Sequence, residues 1–212
     1  MDRLFTLDMP AARFARNVLL VSVAALLPVL ALHVALTPGF AAALAEGGPA
    51  LPRYLRQVAT NGIPVVFVVN FVGFALFARA AARPRRDPAR LILADMAARI
   101  AVFVLVHVAV YVVSSDWFGS FGGSRLTALT VVAPTLARAA LFDNVSGVYL
   151  YATVVSALPL YAVCSARSPR LSPLVRRLPG RSGAVLLAAA FFAIAVLALT
   201  GLAQLAMAVK PG

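Results

Sequence analysis

Apolar residues along this chain gather into five long runs separated by short polar turns. The runs extend from about 16 to 36, 61 to 80, 88 to 114, 146 to 164 and 182 to 209. Each holds roughly 20 residues or more, enough at 1.5 Å rise per residue to cross ~30 Å of hydrocarbon. Helices are required because lipid offers no partner to an unpaired backbone amide. The alternation of a membrane β-barrel is absent, and the runs are too long for its strands. The pattern predicts an all-α integral membrane protein, a single membrane domain over 1–212. It has five transmembrane helices and short interfacial helices in both outer loops, at 38–60 and 125–141.

Helix punctuation fits these runs. Asp87 followed by Pro88 makes an N-cap and first-turn pair for the third span. Ser182 caps the fifth after the Pro179–Gly180 break, and Thr37–Pro38 opens a short helix that Gly47–Gly48 closes. Asn61 and Asn144 stand at the starts of spans two and four, as caps or as turn residues. Between Arg125 and Leu141 the uncharged core, Leu126 to Ala137, is 12 residues long. That is too short to cross, so the segment is read as an interfacial or re-entrant helix. Residues 40–60 read the same way, as amphipathic pieces broken by Gly47, Gly48, Pro49 and Pro52.

The first two spans and the next two invite comparison. In each pair a first helix carries a histidine near its end, His33 or His107, and a Gly-Gly turn follows. A short helix with an arginine, Arg56 or Arg138, then precedes an asparagine and the second span. Parallel repeats of this kind occur in some transporters.

Composition moves the picture further from water. Hydrophobic residues make up 62% of the 212 and charged residues 12%, and mean hydropathy is +0.94. Soluble domains carry about twice that share of charge, so a soluble globular enzyme is excluded. The net charge of +12 comes from arginines in short turns between apolar runs, which points to membrane anchoring and not to nucleic acid. With the N-terminus cytoplasmic, 14 basic residues fall inside, among them Arg79, Arg83, Arg85, Arg86 and Arg90. Only Arg53, Arg56, Arg125, Arg138 and Lys210 fall outside. This bias predicts N-terminus in and C-terminus out. The first run is too long for a signal-peptide core and is read as a retained span. Arginine outnumbers lysine 18 to 1 in an alanine-rich chain, a usage associated with GC-rich bacterial genomes and hence with a bacterial inner membrane. Cys164 is the one cysteine, so no disulfide forms within the chain.

Chemistry-bearing residues are few. In span three Asp95, Arg99, Phe103, His107 and Tyr111 recur every fourth residue and share one face. A face with three ionisable groups is expected to turn toward helices. Asp95 and Arg99 are expected to pair near the cytoplasmic boundary, with Arg99 snorkelling to headgroups. His33 and His107 would bind a haem iron or a quinone only if they faced one another. Arg56, Asp95, Arg99, Trp117, Arg138 and Asp143 are candidates for headgroup or partner contact. Tyr149, Tyr151 and Tyr161 fit aromatic belts at the two boundaries. Asn70, Gly73, Ser156, Pro159, Thr200, Gly201 and Gln204 read as devices for close helix packing.

HExxH, CxxC and P-loop patterns are absent from the sequence, no metal or cofactor is expected, and an enzyme is disfavoured. The expected function is a small non-catalytic membrane subunit or assembly factor that packs against a larger complex. Its partners are membrane lipids and other membrane subunits or itself. The alternatives are a homo-oligomeric transporter using the Asp95–Arg99–His107 face, and a membrane enzyme binding lipid, quinone or haem.

Overall fold

The computed structural model describes residues 5, 6, 8–82, 88–113 and 128–168, with isolated positions beyond 170. Asp87, Trp117 and most of the fifth apolar run lie outside the described residues. The rest is an all-α, multi-span membrane fold. Four of its helices are long and apolar enough to cross a membrane.

Helix α1 spans Ala11–Leu36. Two short helices, α2 (Phe40–Ala45) and α3 (Ala50–Gln57), follow it. A π-helical turn, Val58–Gly62, carries α3 directly into α4, Ile63–Ala81, so residues 50–81 form one uninterrupted 32-residue rod. The sequence suggested a break at Pro52. Pro52 instead falls in the first turn of α3, where its missing N–H has no helical partner to lose. Helix α5 spans Pro88–Val113, α6 spans Ala128–Ala140 and α7 spans Val145–Arg167.

Asn144 caps α7: its Oδ1 accepts from the Gly147 N–H at 3.1 Å, while its Nδ2 donates to the Thr135 carbonyl of α6 at 3.1 Å. Asn61 has no such role, because the π turn runs through it. Helix α6 ends in a left-handed residue, Phe142, at φ 61°. There the Asp143 N–H donates to the Arg138 carbonyl and the Phe142 N–H to the Ala139 carbonyl, the paired bonds of a Schellman end.

The four long helices form a square bundle. Its most extensive packing is α1 against α7 and α4 against α5, followed by α1 against α4 and α5 against α7. Helices α4 and α7 touch across one diagonal, whereas α1 and α5 occupy the other two corners. Exchanging the pair α1/α4 for the pair α5/α7 therefore maps each principal interface onto its counterpart. Helices α1 and α5 each contain 26 residues, and Ser22 and Arg99 stand at the same distance from their first residues. Helix α7 is the most enclosed of the four. Large apolar side chains such as Leu20, Leu27, Leu36, Leu93 and Leu105 point outward, as lipid contact requires.

Candidate functional site

Near the middle of α5, Arg99 is fully buried and Asp95, one turn earlier, is 4% exposed. An isolated charge here would cost several kcal/mol, so the partners decide whether the site can exist. Arg99 Nε donates to Asp95 Oδ2 at 2.7 Å. Its Nη1 donates to Asn70 Oδ1 of α4 at 2.5 Å and to the Thr153 carbonyl of α7 at 3.2 Å. The Tyr161 hydroxyl of α7 donates to Asp95 Oδ2 at 2.5 Å. The Phe74 ring covers the guanidinium, with its centroid 4.4 Å from Cζ, adding a cation–π attraction that desolvation strengthens.

Asn70 is the hub. It is fully buried, and its Nδ2 donates to Ser22 Oγ of α1 at 2.8 Å. The Ser156 hydroxyl of α7 reaches Asn70 Oδ1 at 2.7 Å and the Thr153 carbonyl at 2.6 Å; its single proton serves one of them at a time. All four long helices thus meet through one polar network. Each interhelical bond of this type is worth about 1 kcal/mol in lipid. The network's larger effect is to fix the rotation of every helix about its own axis.

Asp95 and Arg99 were expected to touch headgroups or a partner, with Arg99 snorkelling. Both instead find their bonds inside this chain, because two neighbouring helices, α4 and α7, supply the groups that solvent would otherwise provide. Tyr161, read from sequence as a boundary aromatic, is fully buried on Asp95. Tyr149 and Tyr151 are buried too. Tyr149 donates to the Gln57 carbonyl at 3.3 Å, and Tyr151 donates to the Ala140 carbonyl. Both therefore tie α7 to its neighbours.

His33 and His107 have separate aromatic surroundings. The His33 ring meets Phe40 and Phe142 edge-on, at 5.8 and 5.3 Å. The His107 ring stacks on Phe103 at 5.5 Å. Among the described residues, no group of three His, Cys, Asp or Glu side chains could hold a metal ion. Arg138 and Asp143 form an exposed ion pair at 3.0 Å, each side chain 63% exposed, and Arg56 is exposed on α3. Ser22 and Thr153 are the site residues that sequence reading passed over. Their one signal is a hydroxyl inside an otherwise apolar run.

No family model, curated protein or solved structure matches this chain.

Proposed function

We propose that the protein is a small non-catalytic subunit or assembly factor of a larger membrane complex. The observation behind this reading is the engagement of the Asp95–Arg99 pair of α5 by α4 and α7 of its own chain, with α1 joined to it through Asn70. Charges held this way serve to define one bundle geometry, which is what a scaffold needs. Outward leucines on α1 and α5 then offer apolar faces to lipid and to neighbouring subunits. In this reading the chain is a bacterial inner-membrane protein with five spans, its N-terminus inside and its C-terminus outside. Helices α2, α3 and α6 lie at the outer interface, with Arg56, Trp117 and the Arg138–Asp143 pair near headgroups. The arginine-rich turn around Arg85 faces the cytoplasm, and a reporter fused there should be active only in the cytoplasmic form.

The deciding experiment is purification from native membranes in mild detergent, with mass identification of everything retained. Stoichiometric foreign membrane subunits are expected. A lone monomer overturns the reading.

A transporter is the second reading, favoured by the position of Asp95, Arg99 and Asn70 where the α1/α4 and α5/α7 pairs meet. Parallel-repeat transporters carry their sites at such a junction. Self-association, with transport abolished by His107→Ala, would select it.

A further inference from the structure

The Asp95–Arg99 ion pair is closed along one side only. A guanidinium presents Nε–H and Nη2–H side by side on one edge, spaced to match the two oxygens of a carboxylate. Here Nε donates to Oδ2, and Oδ2 also accepts from Tyr161. The second donor of that edge, Nη2, and the second acceptor, Oδ1, are both buried without a hydrogen-bond partner. Two unsatisfied polar atoms of opposite kind thus belong to one ion pair buried inside the helix bundle. Buried donors and acceptors are almost always satisfied by protein or by ordered water, and the cost of leaving them unmet is greatest on charged groups.

We infer that the open side of this fork binds one water-sized, uncharged guest that accepts from Arg99 Nη2 and donates to Asp95 Oδ1. Charge sets the first condition. The pair sums to zero, so an ion of either sign would bring an uncompensated charge into the bundle. Hydrogen-bond chemistry sets the second: the guest must offer an acceptor and a donor at once, which water does and an apolar gas does not. Packing sets the third. The Phe74 ring covers the guanidinium, and the backbone of Gly73 runs so close that a Cβ there would stand 2.8 Å from Cζ. On the other side, Nη1 is held by Asn70 and Thr153. Groups packed this closely around the guanidinium favour the smallest guest that meets the first two conditions. This inference does not depend on the subunit reading.

The test is a structure of the full chain in lipid nanodiscs, at a resolution that shows ordered water, paired with NMR of arginine-labelled protein. One ordered density within hydrogen-bond reach of both Nη2 and Oδ1 is expected. A water-exchange signal at the Arg99 guanidinium, identified by its loss in Arg99→Lys, is expected beside it. Direct closure of Nη2 on Oδ1 with no intervening density overturns the proposal, as does density larger than water. The NMR measurement needs only the wild-type fold if the variant fails to assemble, because an Nη resonance set with no water exchange at any buried arginine overturns it equally.

Discussion

The backbone of Gly73 on α4 lies directly against the guanidinium of Arg99 on α5. A Cβ at Gly73 would meet Arg99 Cζ at 2.8 Å and both Cγ and Nε at 3.0 Å. The glycine therefore sets how closely α4 and α5 approach, and that approach brings Asn70, three residues earlier, within reach of Nη1. Small residues at helix crossings allow such contact in membranes. Gly73→Ala should push the guanidinium off Asn70 and destabilise the protein by about 1–3 kcal/mol, the usual cost of overpacking. Thermal unfolding in detergent reads the effect. An unchanged midpoint would mean that α4 and α5 are not in this register.

Removing one charge of the node should do far more harm than removing both. Arg99→Met leaves Asp95 buried without its counter-charge and should cost about 3–5 kcal/mol. Asp95→Leu alone strands the arginine and should cost a similar amount. The combination Asp95→Leu, Arg99→Met and Tyr161→Phe replaces the ionic part of the node by apolar side chains of similar size, and should recover most of the loss. Fluorescence-detected size exclusion after graded heating can rank the variants. Additive losses would show that the pair is not coupled.

The route from sequence to this node was only half legible. The lengths of α1, α5 and α7 follow from hydropathy and punctuation, because lipid imposes helix on any long apolar run, whereas Asn61 and Asn144 read alike as caps or turns and only Asn144 caps a helix. The four-residue spacing of Asp95 and Arg99 also makes their pairing readable. Which way that face turns is a different matter. Ser22, Asn70, Thr153, Ser156 and Tyr161 lie on three other helices, and nothing local to any of them specifies the rotation that aims them at Arg99. Asn70 and Gly73 could be read as packing devices, but not as the seat of a particular charge. The corner positions of α1 and α5 likewise arise from tertiary packing that no single segment encodes.

At the start of α7, Asn144 carries two duties, and its replacements should separate them. Its Oδ1 caps the helix at Gly147, and its Nδ2 ties that end to Thr135 of α6. Asn144→Asp keeps the cap acceptor and loses the donor to Thr135. Asn144→Ala loses both. The alanine variant should fall by about 1–2 kcal/mol and the aspartate variant by less. Amide hydrogen exchange at the first turn of α7 checks this: Ala should raise exchange at Gly147, and Asp should leave it protected. Equal exchange in the two variants would remove the capping role.

Phe142 reverses an ordinary expectation about glycine and alanine. Its φ of 61° lies in the left-handed region, where a residue with a Cβ is strained by about 1–2 kcal/mol. The ring offsets that strain by packing edge-on to His33, at 5.3 Å, and tilted against Tyr151, also at 5.3 Å. Phe142→Ala discards the ring and keeps the Cβ, so it should be the worse variant, down by about 2–3 kcal/mol. Phe142→Gly discards the ring and relieves the backbone as well, so it should unfold later than the alanine variant by about 1 kcal/mol. In a helix interior the order would be the opposite. Equilibrium unfolding of the two variants side by side decides it. Alanine proving the more stable would mean that the turn after α6 does not pass through this conformation.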